Sequence, residues 1–116
     1  MATYMSKGKR WAVQERTLKP TPTDLAWVAG FIEGDGYIGK NRTTLEVSAT
    51  QKESWPLERL QAFFGGSLGQ IHHQGISKQT YFRWRISGQR AKHCINAIFP
   101  LMSPKRMEQI IHATTP

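Results

Sequence analysis

Two segments of this chain, "TLEVSATQ" at 44–51 and "TYFRWRIS" at 80–87, alternate apolar and polar residues. Leu45, Val47 and Ala49 fall on one side, with Thr44, Glu46 and Ser48 on the other. Phe82, Trp84 and Ile86 likewise oppose Tyr81, Arg83 and Arg85. A period of two belongs to a strand buried on one face only. A chain holding two such strands must cover one side of a sheet and leave the other open.

The cover is written between and around them. "TPTD" at 21–24 reads as a helix start: Thr21 as cap, Pro22 at the first helical position, Asp24 completing a capping box. That helix is expected from Leu25 to about Glu33, ending in Gly34-Asp35-Gly36. A short strand, Tyr37–Lys40, and an "NRT" turn lead into the first alternating segment. Ser54 opens a second helix that reaches Phe64 and stops at Gly65-Gly66. Ser67–His73 reads as a third strand and "QGISK" as a turn. A third helix follows from Gln89 to Phe99, and Ser103-Pro104 opens a last short one. The order α-β-β-α-β-β-α-α predicts an α+β fold, a hairpin-helix unit used twice, with four antiparallel strands on a layer of helices. Residues 1–20 lack periodicity and are rich in Lys, Arg, Thr and Ser, which predicts a mobile basic arm before a domain at 21–116.

At 116 residues there is room for one core. Sixteen Lys and Arg against eight Asp and Glu give a net charge of +8, which points to a polyanionic partner, most simply nucleic acid. The bland alternative is a basic structural protein. No apolar run is long enough to span a membrane, and Lys7, Lys9 and Arg10 are not followed by the apolar stretch of a secretory signal. The single cysteine, Cys94, suits a reducing intracellular compartment. The histidines lack zinc-ligand spacing. The open face of the sheet is expected to carry Asn41, Thr44, Glu46, Ser48, Gln70, His72, Gln74, Tyr81, Arg83 and Arg85, joined by Tyr37 and Arg42. Such a set combines cations for phosphates with side chains that can read base edges, and Glu46 is its one acid.

"GFIEGDGYIG" at 30–39 sets Glu33 and Asp35 among glycines. Ala26, Gly30 and Gly34 recur every fourth residue with Ala29 beside them, a strip of small side chains along one helix side. Interior glycine costs about 1 kcal/mol relative to alanine. Close packing of two helices would offset that cost, as small residues do in membrane helix pairs. Ala26, Ala29, Gly30, Glu33 and Gly34 are therefore expected at a homodimer interface. Asp35 lies where the helix dipole disfavours a carboxylate, so a basic side chain or a divalent metal is expected beside it. Two Asp35 side chains meeting near a twofold axis would suit Mg²⁺ and phosphodiester hydrolysis.

"VAGFIEGDG" at 28–36 resembles the signature of the LAGLIDADG homing endonucleases, with Ala29, Gly30, Ile32, Asp35 and Gly36 identical to it. As in that family, strand, strand, helix, strand, strand and helix follow, so the resemblance covers roughly residues 22–112. It implies an αββαββα fold with a saddle-shaped sheet over double-stranded DNA. It also implies metal-dependent cleavage across the minor groove of a long, roughly palindromic site, leaving short 3′ overhangs. Asp35 would bind the metal, Mg²⁺ or in its place Mn²⁺ or Ca²⁺, with the Gly34 carbonyl in the same shell. "VSATQK" at 47–52 implies that Gln51 orients water or the metal shell, and "PLMSPK" at 100–105 implies that Lys105 stands in the catalytic pocket. Glu33 would support the helix end. The chain after Gln51 is shorter than the family pattern, so its further pocket arginine has no clear equivalent, and Lys52 and Arg106 are the candidates. One signature per chain implies that both strands are cut only by a homodimer. The rival within the same fold is a non-cleaving binder, an intron maturase acting on RNA or a DNA-binding regulator.

Overall fold

Thr21 opens the first helix by a reciprocal cap. Its hydroxyl accepts from the Asp24 amide at 3.1 Å, and the Asp24 carboxylate accepts from the Thr21 amide at 2.9 Å. In the computed structural model, which describes residues 12–72 and 80–115, this helix is α1, Pro22–Asp35. It passes without a loop into strand β2, Gly36–Asn41, and a hairpin returns as β3, Thr44–Gln51. Helix α2, Trp55–Phe64, leads to β4, Gly66–His72, and β5 is Thr80–Ser87. Helix α3, Gly88–Ile98, runs through a 3-10 turn at Phe99–Leu101 to α4, Pro104–Thr114.

Both alternating segments are strands, and they pair with each other. The antiparallel β3–β5 ladder, Val47 opposite Ile86 and Ala49 opposite Trp84, joins the two hairpins at the middle of the sheet. Ile38, Val47, Ala49, Leu68, Trp84 and Ile86 turn one face toward the helices. Val28, Ala29 and Ile32 of α1, Leu57 and Leu60 of α2, and Cys94 and Ile98 of α3 complete that core. Trp84 is wholly buried, and its indole N–H donates to the Gly65 carbonyl at 2.9 Å, so the polar tip of the largest core residue is satisfied. Burial pushes the Cys94 thiol up to about 12, which leaves it an inert packing residue.

The fold is α+β as expected, but a further strand, Ala12–Gln14 (β1), makes the sheet five-stranded, in the order β1-β4-β5-β3-β2. Strand β1 pairs antiparallel with the outer edge of β4. It lies inside the stretch expected to be a mobile arm. Three residues are too few to show a period, and what holds them is backbone pairing. The Thr17 and Leu18 amides both donate to the Ala62 carbonyl at 2.8 and 3.0 Å, and Glu15 pairs with Arg90 at 2.7 Å. Gly65 makes room for this crossing: its φ is +73°, and a Cβ there would stand 2.8 Å from the Gln14 carbonyl. The arm's second half is therefore part of the domain, while residues 1–11 lie outside the described residues. No helix among the described residues is long and apolar enough to cross a membrane.

Candidate nucleic-acid interface and acidic helix end

The face of the sheet turned away from the helices is set by strand parity. In β3 it presents Thr44, Glu46, Ser48 and Thr50, and in β5 Tyr81, Arg83, Arg85 and Ser87. Tyr37, opposite Ser48, and Asn41, opposite Thr44, add the β2 contribution. Arg83 and Arg85 are exposed on the central strand and lie opposite Thr50 and Ser48. The Tyr37 ring lies along the sheet over Gly39, where a Cβ would stand 2.7 Å from the tyrosine Cζ. At the hairpin end of this face, Asn41, Arg42, Thr43, Thr44, Glu46, Arg85 and Ser87 line a groove of about 490 Å³. Arg42 occupies the turn with φ of +64°, a left-handed conformation rarely taken by a side chain of that size.

Two expected members of the face differ, Gln70 and His72. Leu68 pairs with Trp84 in the core, so parity carries Gln70, opposite Phe82, to the helix side of the sheet. Ser67, Gly69 and Ile71 take the open positions of β4 instead, with Val13 of β1 opposite Ser67 and 63% exposed. His72 holds the register position opposite Thr80, two places beyond Gln70, so its strand position shares the helix-side parity. Gln74 lies outside the described residues. Thr50 and Ser87 join the open face, beyond the residues expected there. The alternation itself carried that signal.

At the opposite end of β2 from the hairpin, the end of α1 meets the start of α4. Gly36 pairs with Ala49, and Gln51, half-buried, is two residues further along β3. Asp35 and Gln51 therefore sit at the same end of the sheet. Ser103 and Arg106 bring α4 to that end by bonding directly to residues 32–36, with Lys105 exposed between them. Its charge contributes to holding the Glu33 carboxyl below the ordinary carboxylate value, after larger effects from the Ser103 hydroxyl, the Ser103 amide and Arg106. Asp35 itself is exposed, and among the described residues no cation pairs with its carboxylate.

Two basic side chains were candidates for a pocket arginine, and one of them is occupied. Arg106 Nη2 donates to the carbonyls of Ile32, Glu33 and Gly36 at 3.1, 3.2 and 2.7 Å. The second candidate, Lys52, is exposed just past β3.

The small-residue strip is partly used within the chain. Ala29 is 3% exposed and belongs to the core, not to an outer interface. Glu33 is bound to Ser103 of its own chain. Ala26, Gly30 and Gly34 are exposed, and a Cβ at either glycine would meet nothing within 4 Å. Beside them Trp27 stacks on Phe31 at 5.3 Å, the Arg59 guanidinium covers Trp27 at 4.2 Å, and Trp55 is 56% exposed. No protein-family model matches the chain.

Proposed function

We propose that this protein is a site-specific double-stranded DNA endonuclease of the LAGLIDADG type, acting as a homodimer through the exposed Ala26–Gly30–Gly34 strip of α1. The observation that carries the reading is the gathering of Asp35, Gln51 and Lys105 at one end of a sheet whose open face is basic, with Glu46 as its acid. Among the described residues the Asp35 carboxylate pairs with no cation, and the nearby Arg106 guanidinium is taken up by the helix-end carbonyls, so the acid is left open to a metal.

The donors fit Mg²⁺. Asp35 offers a carboxylate, Gly34 a backbone carbonyl at an exposed residue and Gln51 an amide oxygen, all hard oxygen ligands. The single signature supplies one such carboxylate per chain, Asp35, and water and phosphate oxygens would complete the shell. Bound there, the ion would supply an activated water and stabilise the leaving oxygen. The chain's own residues do the rest. Arg83, Arg85 and Arg42 hold the backbone, the polar side chains of β2, β3 and β5 meet base edges, Gln51 orients the attacking water, and Lys105 faces the charge that develops on the phosphate. The reading places the protein in an intracellular, reducing setting.

The test is incubation with a randomised duplex library and Mg²⁺, beside Asp35→Asn. Cutting by the wild type that is lost in the variant supports the nuclease. Tight binding without cutting points to the maturase or regulator. Neither binding nor cutting leaves a structural role.

A further inference from the structure

We propose that Arg106 is the positioning residue for Asp35, acting through the helix-to-strand junction that carries the acid; the proposal rests on the endonuclease reading above. The last turn of α1 holds no Lys, Arg or His of its own. Ile32 accepts from the Gly36 amide, but the carbonyls beyond it have no donor within the helix, and together they form the negative end of the dipole. Arg106, from the first turn of α4, supplies the missing charge. Its Nη2 reaches the Ile32 and Glu33 carbonyls before Asp35 and the Gly36 carbonyl after it, so one nitrogen brackets the acid in the chain. The other fork nitrogen, Nη1, donates to Gln109 at 2.8 Å, which fixes the guanidinium plane.

The junction has little freedom apart from this clamp. Gly36 is the first strand residue, its amide donates back to the Ile32 carbonyl, and a Cβ there would stand 2.8 Å from Ile32 Cγ2 and 2.9 Å from its Cα. Helix becomes strand within one residue, and Asp35 is the last helical position. Its carboxylate direction is therefore set by how firmly residues 32, 33 and 36 are held. A lysine could place one charged nitrogen at these carbonyls, but it has no second fork nitrogen to bond Gln109 and hold that nitrogen in a fixed plane. This also separates Arg106 from Lys105: the lysine is exposed and free to face a phosphate, whereas the arginine faces the protein.

The test uses the full chain with Arg106→Met, which keeps an unbranched apolar stem, and Arg106→Lys. Both are assayed below their unfolding midpoints, with circular dichroism as the check on folding. Expected is a fall in kcat of about 100-fold for Arg106→Met with KM for the duplex within about twofold, because a misdirected carboxylate affects the reacting geometry and not the grip on DNA. Arg106→Lys should recover less than about a tenth of the lost rate. Mn²⁺ bound to the protein–duplex complex, followed by electron paramagnetic resonance, should be weaker by about tenfold in Arg106→Met, within the range for residues behind a metal ligand. A folded Arg106→Met that cleaves and binds Mn²⁺ as the wild type does overturns this inference while leaving the endonuclease reading intact. If Arg106→Met does not fold, Arg106→Lys decides, and full activity there overturns the inference. A wild type that shows no Mg²⁺-dependent cleavage overturns both.

Discussion

Glu33 near the end of α1 caps the first turn of α4, accepting from the Ser103 amide at 2.9 Å and from its hydroxyl at 2.6 Å. Ser103 Oγ in turn accepts from the Arg106 amide at 3.2 Å, and Arg106 returns to the α1 carbonyls. Each helix thus satisfies the other's open terminus. Glu33 is expected both at a homodimer interface and as a support of the helix end, and the structure shows it bonded to Ser103 in an intramolecular joint.

That joint makes stability depend on pH. The Ser103 hydroxyl and amide, with help from Arg106 and Lys105, hold the Glu33 carboxyl below its ordinary value. The unfolded chain therefore binds that proton more readily than the folded one. The contribution is complete above the ordinary carboxylate range and is lost as pH falls through it. Thermal melts across pH 3 to pH 7 (about the carboxylate range) should show a shallower acid-side decline for Glu33→Gln than for the wild type. Superimposable pH dependences would contradict the cap.

Gly30 separates folding from association. Nothing lies within 4 Å of a Cβ built there, so Gly30→Ala should raise stability by about 0.5–1 kcal/mol through helix propensity alone. Gly30→Leu should fold as well but keep two α1 helices apart. Sedimentation with and without duplex DNA should then give a dimer for the wild type and a monomer for the leucine variant. A leucine variant that dimerises normally would move the interface elsewhere.

Arg42 carries a turn conformation that glycine takes without strain. With φ at +64°, Arg42→Gly should stabilise the fold by about 1 kcal/mol. If the arginine is there for a phosphate, the same change should lower the slope of log affinity against log salt by about 1.8, since each dimer loses two contacts. Stabilisation with an unchanged slope would remove Arg42 from the interface.

The two faces of the sheet predict opposite outcomes for neighbouring polar residues. Arg83→Ala with Arg85→Ala should lower the salt slope by about 3.6, since each dimer loses four contacts, and weaken every duplex similarly. Gln70→Ala, on the helix side opposite Phe82, should leave affinity unchanged. Fluorescence anisotropy over a salt series measures both, and a large effect at Gln70 would contradict the register.

Where side chains alternate over eight residues, as in "TLEVSATQ" and "TYFRWRIS", the strands and their faces could be read directly. The Thr21–Asp24 capping box was equally legible, because a cap is a local interaction. In "GSLGQIH" two glycines interrupt the pattern, so parity rests on Leu68, and the open face was assigned one residue out of step. "AVQ" in β1 is held by the edge of β4, a partner more than fifty positions away that no local pattern names. The Arg106 clamp and the Glu33 cap likewise join α1 to α4 across the length of the domain, and in sequence they are only an arginine and a glutamate.

In the proposed dimer each protomer brings one Asp35 to one strand of the duplex. Mixing wild-type and Asp35→Asn chains, letting protomers exchange, and scoring both strands of a labelled cleavable duplex probes that division of labour. Wild type alone should give double-strand cuts, the variant alone none, and the mixture nicked duplex as a new product. Double-strand cutting by pure Asp35→Asn, at the wild-type rate, would contradict that division.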